Sequence, residues 1–218
     1  MPAVEPRGVG LALALSVAVN ALTLVGVLAL GWPAGNVFLL FWCENLVLGL
    51  VTLVRIATAE VSPEGRVGTA FFFVLHYGIF AVVHLAFTGV VAWRLGADPS
   101  FLLLGLPVAL VVVRYAVELG TTWFGAEGLR RATSPRQAMI APYPRVVVLQ
   151  VAVLVAFLLV GASFFAGLPD SPVAGFARFL ATLPAWLGRP EVLAVVVLVL
   201  LKTLVDLLTT RRALRPRS

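Results

Sequence analysis

Long apolar runs, separated by short polar breaks, organise this chain. The runs cover about 8–32, 37–57, 67–94, 101–124, 146–168 and 192–211. A run of 18 or more apolar residues reads as a membrane-spanning helix, so six spans are predicted. The breaks carry turn chemistry. Pro33, Gly35 and Asn36 turn the chain after the first run, and Ser62-Pro63-Glu64-Gly65 lies in the second break. Residues 96–100 form the third break, and a longer polar loop fills 125–145. The third run is long enough to tilt, and Pro107 in the first turns of the fourth suggests a kink.

Between the fifth and sixth runs lies a different pattern. In 169–191, Phe176, Phe179, Leu180, Leu183 and Leu187 recur at helical spacing, and Pro184 interrupts them. This stretch is too short to cross a bilayer. It is expected to lie on the bilayer as an interfacial helix, with a re-entrant segment as the alternative. The expected fold is therefore all-α: a single polytopic domain over 1–218, with six transmembrane helices and one interfacial helix.

Composition agrees with that pattern. Of 218 residues, 61% are hydrophobic and 12% charged, with a mean hydropathy of +1.05. Soluble domains average roughly 25% charged residues, so this chain cannot build a water-facing shell. One cysteine, Cys43, allows no internal disulfide. The first run exceeds the about 7–15 apolar residues of a signal-peptide core, so it is read as a retained span.

The net charge of +6 does not point to nucleic acid, because no basic patch is interleaved with aromatics. The bases sit in the loops instead. With six spans, one side carries Arg7, Arg55, Arg66, Arg130, Arg131, Arg136, Arg145, Arg211, Arg212, Arg215 and Arg217; the other carries only Arg94, Arg178 and Arg189. The positive-inside rule then places both termini in the cytoplasm of a cell-membrane protein whose first partner is the lipid bilayer.

Candidate chemistry comes from charges in the middle of the runs: Glu44 in the second, His76 and His84 in the third, Arg114 and Glu118 in the fourth, Lys202 and Asp206 in the sixth. An ionisable group at mid-span costs at least about 2.5–3.5 kcal/mol on insertion scales, so pairing or function is expected of each. Counting depth along antiparallel neighbours puts Glu44 and His84 at similar height, and a contact between them is predicted. Glu44 has no base within one turn, so it is expected to hydrogen-bond to His84 or Asn45. His76 lies about 12 Å deeper than His84 and about 80° round the helix. With Tyr77 it would join a deeper set made of Arg114, Lys202 and Asp206. The pairs Arg114/Glu118 and Lys202/Asp206 are spaced i, i+4, so each can neutralise itself on one helix face.

Each of these residues also has a structural reading: self-paired charges, packing histidines, Asn20 and Gln150 as interhelical glue, Cys43 as a small packing residue rather than a soft ligand. Phe71, Phe72 and Phe73 are expected to face lipid or to serve as interfacial anchors, not to form a cofactor box. A divalent metal would have to be held by His84, Glu44 and His76. A regular helix does not bring both histidines to one ion, since ligand pairs sit at i, i+3 or i+4. Hydrolase, zincin, P-loop and Cys-x-x-Cys motifs do not occur.

Trp42-Cys43-Glu44-Asn45, followed by Gly49 and Arg55, and the string Phe73 to His84, F-V-L-H-Y-G-I-F-A-V-V-H, carry a resemblance. Together with Pro142-Tyr143-Pro144-Arg145 and the Lys202/Asp206 pair, they resemble a prokaryotic multi-pass membrane family known only as a domain of unknown function. The resemblance covers about 37–210 and implies no reaction. It adds that Glu44, His76 and His84 coincide with the family's motif positions.

Three readings of function follow. The first is translocation of a small solute, ion or proton by a carboxylate–histidine relay. The second is an intramembrane metal enzyme in which Glu44 and a histidine hold the ion. The third is a non-catalytic membrane partner or assembly protein, or a homo-oligomer, in which the charges join helices.

Overall fold

The computed structural model describes residues 6–126, 128–147 and 190–214, with 150, 151, 153–155, 157, 175, 179 and 182. Its described elements are all helical: α1 (Pro6–Ala29), α2 (Ala34–Thr58), α3 (Arg66–Arg94), α4 (Leu106–Glu118), α5 (Pro135–Ile140) and α6 (Pro190–Leu214). Wider π-type turns, Phe101–Gly105 and Leu119–Trp123, extend α4 at both ends. The described residues of the fifth run, up to 157, are helical. The rest of that run and most of the expected interfacial segment, 169–191, lie outside the described residues.

Three helical stretches are long and apolar enough to cross a membrane: Ala34–Thr58, Pro63–Arg94 and Phe101–Trp123. Ala14–Ala29 and Val192–Val205 are shorter apolar helices. The helix ends follow from local chemistry. Gly31 and Gly96 take positive φ, where a side chain would clash, and they close α1 and α3. After Gly96 the Ala97 amide donates to the Ala92 carbonyl, as in a Schellman ending. Pro33 stands at the N-cap of α2 with its fixed φ already set, so α2 begins at Ala34. That start corrects the expected boundary at Val37 by nearly one turn. Arg66 donates through Nε and Nη2 to the Ala59 carbonyl at 2.8 and 2.6 Å, tying the end of α2 to the start of α3.

The central element is α2. Its apolar window is 56% buried, against 22% in each of the other two long helices. It packs against α3, α4 and α5 and touches α6, while α1 packs against α4 and α6. Phe38, Phe41 and Ile56 of α2 are fully buried at its contacts. The α2/α3 seam is close because α2 offers glycine there. A Cβ on Gly35 would strike the Ala92 carbonyl oxygen, and one on Gly49 would stand 2.6 Å from Cε1 of Tyr77.

The buried residues of α3 are Phe73, Tyr77, Ala81, His84, Thr88, Val91 and Ala92. They recur at three and four residues, so they form one stripe. Tyr77, Ala81 and Ala92 on it meet α2 directly. Phe73 is therefore core, which corrects its expected lipid-facing place, while Phe71 and Phe72 are exposed.

The seam yields a first prediction. Gly35→Val should lower the melting temperature of the detergent-solubilised protein, because the obstacle is backbone; overpacking of this kind costs about 1–3 kcal/mol. Gly68→Ala, with nothing within 4 Å of the new Cβ, should leave the melting temperature unchanged or slightly raised. Equal losses from the two substitutions would contradict the close approach.

Candidate functional site

The candidate site is built where α2 meets α4 and α6. The Glu44 side chain is 7% exposed. Arg114 Nη1 donates to its Oε1 at 3.0 Å, and the Tyr115 hydroxyl lies 3.3 Å from the same oxygen. Lys202 Nζ approaches Oε2 at 3.2 Å as an ion pair, outside hydrogen-bond geometry. Lys202 also donates to Asn20 Oδ1 at 2.8 Å, and Asn20 Nδ2 donates to Thr203 Oγ1 at 3.1 Å. One carboxylate thus joins four helices: α2 carries the acid, α4 and α6 the two bases, and α1 the amide that holds the lysine. The Lys202 ammonium sits 5.4 Å from the centre of the Phe41 ring, which shields it on one side.

A second pair lies towards the Thr58 end of α2. Arg55 Nη2 donates to Glu118 Oε1 at 2.9 Å. The Arg55 guanidinium rests 5.8 Å from the Trp123 ring, and Trp123 Nε1 donates to Thr58 Oγ1 at 2.8 Å. A third, more exposed pair, Arg130 with Glu60 at 3.1 Å, follows beyond the helix end.

These contacts revise the expected pairing. Arg114 and Glu118 each pair across helices with α2, with Glu44 and Arg55, in place of the expected i, i+4 pair on one face. Lys202 and Arg114, expected deeper than Glu44, both reach it. The cause is the early start of α2, which lowers Glu44 by nearly one turn, together with the reach of the two long basic side chains. The side chain of Asp206 lies outside the described residues.

The expected Glu44–His84 hydrogen bond is not formed. Glu44 is occupied by Arg114, Tyr115 and Lys202. His84 is 1% exposed, and neither of its ring nitrogens has a hydrogen-bond partner. It packs edge-on to Phe80 at 5.6 Å between ring centres. His76 stands one position off the buried stripe of α3 and is exposed; its ring stacks on Phe72 at 5.4 Å and lies 6.2 Å from that of Tyr143. His76 is therefore not part of the cluster. Tyr77 is buried, and its hydroxyl donates to the Asn45 carbonyl at 2.7 Å. The Asn45 side chain is also buried, and its Nδ2 has no partner. Among the described residues no three His, Cys, Asp or Glu side chains gather as a metal site needs, so His84, Glu44 and His76 do not form the expected ligand set.

Sequence reasoning missed Tyr115 and Thr88. Tyr115 follows Arg114 and shares its buried face. Thr88 lies one turn from His84 on the stripe of α3, a spacing that could have revealed it. Trp42 was noted only as part of a motif; its Nε1 donates to the Ala81 carbonyl at 3.0 Å and helps set the α2/α3 register. Asn36, read as a turn residue, is buried and exchanges two hydrogen bonds of 2.7 Å with the Asp98 backbone.

The family of unknown function DUF6498 matches residues 3–218. The chain belongs to that family. Comparison with curated proteins and with solved structures gives no match. The family carries no assigned activity, so the chemistry of this member rests on the cluster itself. An acid buried between two bases is costly to break. Removing one partner of a buried pair typically costs about 3–5 kcal/mol, because a charge loses its compensation.

Glu44→Ala should therefore destabilise the protein by about that amount, since it takes the acid away from two bases at once. Lys202→Met should cost clearly less, since Glu44 keeps Arg114 and Tyr115. Thermal unfolding in detergent measures both. A larger loss for Lys202→Met would contradict the central place of Glu44.

Proposed function

We propose that this protein is a multi-pass membrane protein that translocates a small solute, ion or proton along the polar side of α2. In this reading the chain crosses the bilayer six times, with both termini in the cytoplasm. Three long apolar helices support the membrane setting. So does the outward face of α3, where Val67 is 82% exposed, Trp93 73% and Val82 69%. A contiguous apolar surface of this kind is avoided in water.

One observation carries the translocation reading: buried polar groups occur at several levels along α2, not at one. His84 and Thr88 lie nearest its Ala34 end. Glu44 with Arg114, Lys202 and Asn20 lies at the middle. Arg55 with Glu118 lies near its Thr58 end. Ionisable groups inside membrane helices mark ion and proton routes. A second reading, a non-catalytic partner in which the charges only join helices, is favoured by the closed geometry of the Glu44 pairs, whose side chains are 2–7% exposed. The metal-enzyme reading has no ligand set among the described residues.

Proton flux separates the two. In proteoliposomes holding a potassium gradient and a pH-sensitive dye, valinomycin should drive proton uptake through the wild-type protein. Glu44→Gln keeps an acceptor oxygen for Arg114 and Tyr115 but cannot carry a proton, so its uptake should fall to that of empty vesicles. Absence of wild-type uptake, with solute uptake also absent, would favour the joining role. Topology is tested apart from activity. Reporters fused after Ser218 should work only as cytoplasmic reporters, and a periplasm-active fusion would overturn the six-span arrangement.

A further inference from the structure

We propose that a file of water molecules occupies the α2/α3 seam beside Thr88, His84 and Asn45 and reaches the Glu44 cluster. It deepens the translocation reading by assigning the access route on the Ala34 side of Glu44. Three buried side chains define it. His84 is 1% exposed with both ring nitrogens unpartnered, Thr88 is 0% exposed with its hydroxyl unpartnered, and Asn45 is 6% exposed with its amide nitrogen unpartnered. Buried polar atoms are nearly always satisfied by protein or by ordered water. Other buried atoms without a hydrogen bond, such as Glu44 Oε2 and Arg55 Nε, belong to ion-paired groups, whereas these three side chains follow one another along one seam.

Thr88 sharpens the point. A threonine inside a helix can donate to the carbonyl four residues back, whether buried, like Thr23 and Thr52, or not. Thr23, Thr52, Thr58, Thr121, Thr122 and Thr203 all do so, at 2.6–2.8 Å. Thr88 does not bond the His84 carbonyl, although that carbonyl stands at the same spacing. Its hydroxyl is left for another partner.

The three side chains are also placed in series. Thr88 and His84 are one turn apart on the stripe of α3 that faces α2. Trp42 fixes the register by donating to Ala81, and Tyr77 does so by donating to the Asn45 carbonyl. His84 therefore sits about one helical turn beyond Trp42 towards the Ala34 end, and Asn45 lies next to Glu44 in the chain. Thr88 and His84 are about 6 Å apart along the stripe, which suits one bridging water, whereas His84 lies about 10 Å along the helix from the level of Tyr77, where Asn45 sits, so that step takes more than one water. A neutral imidazole offers one donor and one acceptor, so it can continue such a file in both directions.

Histidine occurs only twice in the chain, which makes the test direct. Protein labelled with nitrogen-15 histidine is placed in lipid bilayers, and water-edited solid-state spectra are recorded. His84→Phe assigns the two rings by loss of one set of signals. The His84 ring nitrogens should show hydrogen-bonded shifts and magnetisation transfer from water. Nitrogen shifts of a ring without hydrogen bonds, or hydrogen-bonded shifts with no transfer from water, would overturn the file. Proton uptake by His84→Phe is measured in parallel, and should fall on the order of a hundredfold. Hydrated His84 in a protein without flux would keep the file and remove the translocation reading. A dry His84 in a protein with full flux would do the reverse.

Discussion

The whole arrangement depends on one buried carboxylate with two bases. Glu44 sits on the most buried helix and meets Arg114 of α4 at 3.0 Å and Lys202 of α6 at 3.2 Å. Neither base can turn away without leaving a charge in an apolar interior. That requirement sets which faces of α4 and α6 point inward, and through Asn20 it draws α1 to α6 as well. Apolar side chains fill the space but could pack in several rotations. The ion pairs have one geometry, so they select one. A mid-helix charge on three separate segments is therefore a specification of packing before it is anything else.

How much of this was legible in the sequence depends on the element. The long helices followed from run length and from breaks such as Pro33 and Gly96, because backbone chemistry acts locally. The importance of Glu44, Arg114 and Lys202 followed from the cost of charge in an apolar run. Their partners did not follow. Pairing depends on helix rotation and on where α2 starts, and Pro33 as an N-cap moved that start from Val37 to Ala34. The local i, i+4 rule for Arg114 and Glu118 lost to tertiary contact, since α2 offers each of them an opposite charge across the interface. Sequence position set His76 and His84 at different depths but gave each a polar cluster to join. The stripe Tyr77, Ala81, His84, Thr88 separates them, and it was hidden because α3 is apolar all the way round.

Two kinds of buried polar group lie along α2. Glu44, Arg114 and Lys202, like Arg55 and Glu118, are ion-paired across helices, although Glu44 Oε2 and Arg55 Nε have no hydrogen bond. The Thr88 hydroxyl, the His84 ring nitrogens and the Asn45 amide nitrogen have neither, and they lie along the seam where Gly35 and Gly49 let α2 and α3 approach. An ion-paired cluster beside an unpartnered polar seam gives α2 two roles: it anchors α4 and α6 on one side and leaves a hydrogen-bonding face towards α3 on the other. The proposed translocation would use both, a fixed charged centre and an unsatisfied route to it.

The central claim is that Glu44 and Arg114 act as a pair in holding the bundle. A double-mutant cycle of Glu44→Gln and Arg114→Met, read by reversible unfolding in mixed micelles, measures that coupling directly. Residues in contact couple by about 0.5–3 kcal/mol, and a buried charged pair belongs in the upper part of that range. We expect the double variant to be more stable than the sum of the single losses by at least about 1 kcal/mol. Losses that add within about 0.3–0.5 kcal/mol would show independent sites and contradict the account.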